Sequence, residues 1–480
     1  MSTINVKVKA PTVYTHGGAK ADRATPYGEL KRSVCSCLLW EDTFYEDGKS
    51  IADRIREGVK AVSVSEILGL IKFARNELGL RSVSAYLAAL LVHKLNAPEY
   101  NNVRRALVTE AFLGAVRRPD DLTEIVAIYW RDNRDAKGNR KQLTNAMRHA
   151  CHAVFAKLSD YQIQKYSKRG AVRLRDVLRM SHYHPPVHRL ALFKSLNDDT
   201  IKIPDTWEVA ISATQDKKAE WTRLLVEGKL GPLALLRNLR NLVNAGVEIK
   251  LIAKALDLID DKGLVFPYQY YSAYREADSR LAPHIDAAML RSLQQAPKLP
   301  GTTLWVVDIS GSMNSSMSGR SKMNRMEAAC SLTAIGAELC EFSKVYATAG
   351  SDSRKVHATK EVPYGRGITL IDNINSMYPQ LGGGGIFLTQ AMNFLEPKVG
   401  DVDRVVVVTD EQDCSGHLDP PSKAPLLGSR GNYIVNVGSY KNGIGREKWT
   451  KIDGFSTNVL KFIAAEEGLA FTQEDEDGED

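Results

Sequence analysis

From Gly28 to about Leu293 the chain repeats one pattern, apolar positions at helical spacing with polar residues between them. In VSVSEILGLIKFARNEL the apolar face is Ile67, Leu68, Ile71 and Leu78. SVSAYLAALLVHKL follows, with Ser82 or Ser84 available as an N-cap, and then NNVRRALVTEAFLGAV and DDLTEIVAIYWRDN. Gly79, Pro98 and Pro119 fall in the breaks. The pattern predicts paired helices of roughly 12–16 residues joined by short connections. No period is strict, and few strand-like runs interrupt it, so an irregular helical solenoid is expected. Before it, Pro11, Gly17, Gly18 and Pro26 disrupt any period, and residues 1–26 read as irregular.

The texture changes at QQAPKLPGTT, where Pro297 and Pro300 mark a boundary. TTLWVVDIS is a β-branched apolar run that predicts a buried strand, and KVYATAG, RVVVVTD and GNYIVNVGS predict three more. NRMEAACSLTAIGAELCEF reads as an amphipathic helix between them. Strands alternating with helices imply a parallel, doubly wound α/β sheet. The expected organisation is an irregular segment 1–26, a helical domain 27–296, an α/β domain 297–472 and an acidic, disordered tail 473–480 ending in EDEDGED. The whole is mainly α.

Charge separates the same two parts. Residues 1–297 hold 46 Lys+Arg against 33 Asp+Glu, whereas residues 298–480 hold 18 against 24. A basic domain joined to an acidic one points to a polyanionic partner for the first part only. The six cysteines are sparse and form no CxxC pair, which suits a reduced compartment. Cys35 and Cys37 face different sides of a helical segment and read as small buried hydrophobes. No charged start precedes an apolar run, and no stretch approaches the roughly 20 apolar residues of a membrane helix, so a cytoplasmic protein is expected.

Two segments carry candidate chemistry. In VVDISGSM, Asp308, Ser310 and Ser312 follow a strand end, where ligands bind in open α/β sheets. One carboxylate and two hydroxyls at alternate positions offer oxygens to a hard cation such as Mg²⁺, and Gly311 allows the turn between the serines. Asp410, at the end of the Val405–Thr409 strand, is placed to join them. The bland alternative is that the serines cap a helix and Asp308 bonds the loop backbone. In the helical half, QKYSKRGAVRLRDVLRMSHYHPPVH packs Lys165, Lys168, Arg169, Arg173, Arg175 and Arg179 around a glycine-containing turn, followed by His182, His184 and His188. Cations near Tyr161, Tyr166 and Tyr183 suit phosphate contact with some base stacking; the alternative is a solvated helix face. Pro185 and Pro186 separate the histidines and no cysteine is near, which disfavours a metal there.

The first segment resembles the metal-ion-dependent adhesion site (MIDAS) of von Willebrand A domains, Asp-x-Ser-x-Ser, then a Thr, then an Asp. Asp308, Ser310, Ser312 and Asp410 match it. The Thr does not: GGGGIFLTQAM puts Ile386 there, with Thr389 one helical turn later. The string KYSKRGAVRLRDVLRMSHYHP is similar to the corresponding region of Ro autoantigens, within the TROVE module, and VVVVTDEQD is similar to their second metal aspartate. The domain order agrees. The resemblance implies a HEAT-like helical ring, monomeric and shut by a von Willebrand A-like domain; no nucleophile-base pair is evident in the sequence, so a scaffold without catalytic activity is expected. It implies small noncoding Y RNA on the basic outer surface, single-stranded ends of misfolded RNA in the ring's hole, and in bacteria an exoribonuclease tethered through the Y RNA. By matching position, Lys165, Lys168 or Arg169, and His182 correspond to residues that contact RNA. Two rivals stay open: a metal-dependent protein-interaction module whose helical half binds a protein, and a metal-assisted nuclease using Asp308 and Asp410.

Overall fold

The computed structural model describes residues 13–469, except 22–24, 36–47, 135, 168–171, 205, 260–264, 266, 295–297, 317–322, 417–418, 439, 441–442, 445–448 and 455–457. The basic turn at Lys168 and Arg169, the 473–480 tail and Cys37 lie outside the described residues.

The periodic region folds as expected into successive helices, from Pro26–Cys35 and Gly48–Ala61 to Ala282–Leu293. Helices alternate in the stack, so that Arg81–Lys94 packs on Pro119–Asp132 and Arg104–Ala115 on Asn145–Lys157. Local chemistry sets the ends. Ser63 caps Val64–Lys72 in a reciprocal box with Glu66, satisfying two backbone donors that the helix leaves free. The next helix, Arg81–Lys94, starts at Leu80 without a side-chain cap; Ser84 lies inside it and donates back to the Leu80 carbonyl at 2.7 Å. Neither Ser82 nor Ser84 is the cap, because the helix already begins at Arg81, so that both serines lie within it. The segment read as irregular contains a small hairpin, β1 (Val13–Tyr14) against β2 (Lys20–Ala21), turning at Gly17 and Gly18.

The second domain is a six-stranded sheet. Its strands are β3 (Leu299–Asp308), β4 (Cys340–Ser351), β5 (Val356–Glu361), β6 (Val402–Thr409), β7 (Gly428–Asn436) and β8 (Thr450–Asp453), ordered β5-β4-β3-β6-β7-β8. All neighbours run parallel except β4 and β5, which form an antiparallel hairpin at the edge. The sheet is thus mixed rather than wholly parallel. The central strands β3 and β6 are buried over most of their length, as a sheet covered on both faces requires.

Both ends of the helical array meet this sheet domain. At the far end, Tyr271 and Tyr274 donate to the two oxygens of Asp372 at 2.9 and 3.0 Å, and Asp286 accepts from the Ile368 amide at 2.8 Å. One apolar core runs from Trp221 and Leu242 through Met289 into Trp305 and Leu460, so the boundary near 297 is not a core boundary. At the near end, Arg32 on the first helix bonds Glu411 at 2.9 Å, with both side chains buried. The helices therefore form a ring that the α/β domain closes.

Candidate RNA interface and metal centre

The metal-type residues converge at the carboxyl ends of β3 and β6. Asp308, Ser310 and Asp410 are all but completely buried and Ser312 nearly so. Asp308 Oδ1 accepts from the Ser310 amide at 2.8 Å, and the Ser310 and Ser312 hydroxyls are 3.3 Å apart. Between them Gly311 passes the Gly383 carbonyl so closely that an added Cβ would lie 2.8 Å from it, which explains the residue. The serines do not cap the following helix. That helix, Arg325–Glu338, is capped by Asn324.

The electrostatics of the site are those of buried carboxylates. Asp410 Oδ2 is buried with no hydrogen-bond partner. Burial, then repulsion from Asp410, pushes the Asp308 carboxyl up to about 7. Burial also raises Asp410, offset only in part by the Ser312 hydroxyl. Two desolvated carboxylates facing each other with a free oxygen, beside two hydroxyls, fit an oxygen-seeking divalent ion. Ile386 is fully buried, and Thr389 donates its hydroxyl to the Pro420 carbonyl at 2.8 Å, so neither supplies a ligand oxygen. Thr409 was not singled out in the sequence reading. Its hydroxyl bonds Asp308 Oδ2 at 2.6 Å and so fixes the carboxylate. Its place directly before Asp410 was the available signal.

The loop after Asp410 is held from the other domain. Glu411 adopts φ 62, a left-handed backbone rare for this residue, and its buried carboxylate meets Arg32 and, at 2.5 Å, Lys451. Burial alone would raise it, but the two cations outweigh burial and hold it below its usual range. The β1–β2 hairpin adds Thr15, which donates to the Asp413 carbonyl at 2.8 Å, and the His16 amide, which donates to Gln412 Oε1 at 2.7 Å.

The basic segment is brought together only in part. Lys165 sits on Asp160–Tyr166 beside Tyr161 and Tyr166, with Glu208 at 3.9 Å. Lys168 and Arg169 lie outside the described residues. Arg173 caps the helix Leu174–Ser181, and with Arg175 it shares Asp199, at 3.4 and 2.9 Å. Arg179 binds the side chain and carbonyl of Asn197. His182 ends the helix in a left-handed conformation, φ 53, exposed and without a hydrogen-bond partner among the described residues. It is not a packed helix-end residue; Tyr183 is the one that packs, on Phe155 and Phe193. No group of three or more His, Cys, Asp or Glu that could hold a metal occurs among the described residues, these histidines included.

A ring of helices closed by an α/β domain, with an Asp-x-Ser-x-Ser loop at the closure, defines a class of protein. Residues 198–282 match the TROVE domain family model. A stretch of 142 residues is 31% identical to telomerase protein component 1 of Mus musculus, covering 28% of this chain and 5% of that much longer protein. The structure of the Deinococcus radiodurans RO (RSR) protein superimposes with a TM-score of 0.57 at 15% identity, over 92% of this chain and 99% of that one. Residues 198–282 thus match the TROVE domain, and the chain has the fold of that Ro protein. The matched residues 198–282 lie C-terminal to the Lys165–His182 segment.

Proposed function

We propose that this protein is the RNA-binding scaffold of a Ro-type ribonucleoprotein rather than an enzyme. Structured noncoding RNA of the Y type sits on the outer basic surface around Lys165, Lys168, Arg169, Arg173, Arg175, Arg179 and His182. Single-stranded ends of misfolded RNA enter the ring's hole, in the service of RNA quality control in the cytoplasm. A nuclease, where one takes part, is recruited through the RNA, and the ring works as a monomer. The observation that carries this reading is His182, an exposed imidazole without a hydrogen-bond partner among the described residues, which ends a helix that bears Arg175 and Arg179 and starts from Arg173. Such a ring can donate or accept at a base or a 2′-OH while the arginines hold phosphates. The excess of cations in residues 1–297 supports the polyanion.

The α/β domain is proposed to hold Mg²⁺ through Asp308, Ser310, Ser312 and Asp410. The ion would neutralise the two carboxylates and take up the free Asp410 oxygen; the protein's part is to orient these oxygens and exclude bulk water.

His182→Gly tests the RNA site. Glycine accepts the left-handed backbone without strain, so the melting temperature should hold while affinity for a preferred hairpin RNA falls. Unchanged hairpin affinity would remove His182 from the interface and leave the lysines and arginines as a generic electrostatic patch.

A further inference from the structure

A hollow of about 1100 Å³ opens between the helices Val64–Lys72, Arg104–Ala115 and Asn145–Lys157. Its wall carries the cations of Lys72, Arg105, Arg117 and Lys157 beside the amides of Asn76 and Asn102. The one acid in the wall, Glu110, is taken by Lys72 at 2.7 Å, which leaves three cations there without an acidic neighbour in the wall. Arg105 is exposed, and its guanidinium has no hydrogen-bond or ion-pair partner among the described residues.

The hollow connects to the basic turn along two routes. Arg105 acts on His149, whose ring lies 5.9 Å from that of His152. The His152 Nε2 is 2.7 Å from the Ser181 carbonyl, one residue before His182. On the other side, Gln162, on the helix of Lys165, donates to the Arg117 carbonyl at 3.0 Å. Partial desolvation first, and the Arg105 cation next, hold the His149 imidazole below its ordinary range, so at neutral pH it offers both a donor and an acceptor.

We propose that this hollow binds a single-stranded RNA segment contiguous with the folded RNA at the Lys165–His182 turn, the histidine lane joining the two. The inference rests on the RNA-scaffold reading and goes beyond it by assigning Lys72, Arg105, Arg117, Lys157 and the flanking amides. The shape selects the strand. An A-form duplex is convex and turns its phosphates outward, whereas an unpaired strand can follow a concave wall and present base edges to amides. Cations along the wall supply sequence-independent phosphate contacts.

Full-length protein, titrated with a hairpin RNA and with the same hairpin extended by a short unpaired tail, tests this. Wild type should bind the tailed RNA about 10-fold more tightly and with a salt slope steeper by about one to two units. The Arg105→Gln/Lys157→Gln double variant should lose both gains and keep blunt-hairpin affinity. Asn102→Ala, at an exposed amide, should lose part of the tail's gain with an unchanged melting temperature, which covers the case of a double variant that folds poorly. Equal binding of tailed and blunt RNA by wild type overturns the inference together with the entry of single-stranded ends into the ring, whereas a tail gain that persists in the double variant overturns the inference alone. Binding of neither RNA at low salt overturns both.

Discussion

Single residues decide whether the α/β domain is a metal site. Asp308 and Asp410 could be placed from the sequence because an Asp-x-Ser-x-Ser run after a strand has few other uses. What the sequence did not expose was the role of Thr409, since a hydroxyl at a strand end looks like any other. Nor did it show that Thr389 is committed to Pro420, a contact between segments 31 residues apart. The buried carboxylates give a pH signature. A group raised from 3.8 in the open chain to about 7 in the fold favours the protonated fold. Its contribution to stability is full below about pH 4 and is lost as pH rises through about 7. The metal-free protein should therefore melt at a higher temperature at pH 5 than at pH 8, and saturating Mg²⁺ should narrow that difference. Asp308→Asn should flatten the pH dependence and abolish the Mg²⁺ response. A melting temperature indifferent to Mg²⁺ at pH 8 would count against a metal there.

At the scale of elements, long periodic segments were legible and short polar ones were not. The helices of the array and the apolar strands β3, β4, β6 and β7 announce themselves by spacing and β-branching. Strand β5, VHATKE, is a half-polar edge strand, and its hairpin turns at Lys355 with φ 51 rather than at glycine or asparagine, so the usual two-residue hairpin signal is missing. The basic helix Leu174–Ser181 shows another limit of sequence. A run of arginines reads as free positive charge, yet Asp199, from beyond the next helix, binds two of them. Exposed pairs of this kind contribute up to about 1 kcal/mol. Asp199→Asn, which suits the φ of 58 at that position, should free both guanidinium groups and raise affinity for structured RNA by up to about 5-fold. Filter-binding titrations at fixed salt would register this, and a loss of affinity would mean that the carboxylate instead holds the arginines in their binding geometry.

On the scale of the whole molecule, the closure of the ring was legible only through the family resemblance and not from spacing, because contacts that shut it at the near end join residues 379 and 408 positions apart. Arg32 bonds the Tyr440 carbonyl and Glu411, the residue directly after Asp410. Removing one partner of a buried pair leaves a desolvated charge, a loss on the order of 3 kcal/mol; here Lys451 still meets Glu411 and softens it. Arg32→Met should lower the melting temperature and speed amide exchange in residues 13–21 and 411–414. Exchange unchanged in those segments would mean that the apolar core alone keeps the ring shut.

The central claim is that RNA binds the helical half through phosphate contacts. Photo-crosslinking of the full-length protein to a structured RNA, with peptide mapping across a salt series, tests it most directly. The account predicts crosslinks within residues 72–182, none from the strands of the α/β sheet, and affinity falling by orders of magnitude over a modest rise in salt. Crosslinks concentrated in the α/β domain, or binding flat with salt, would contradict it.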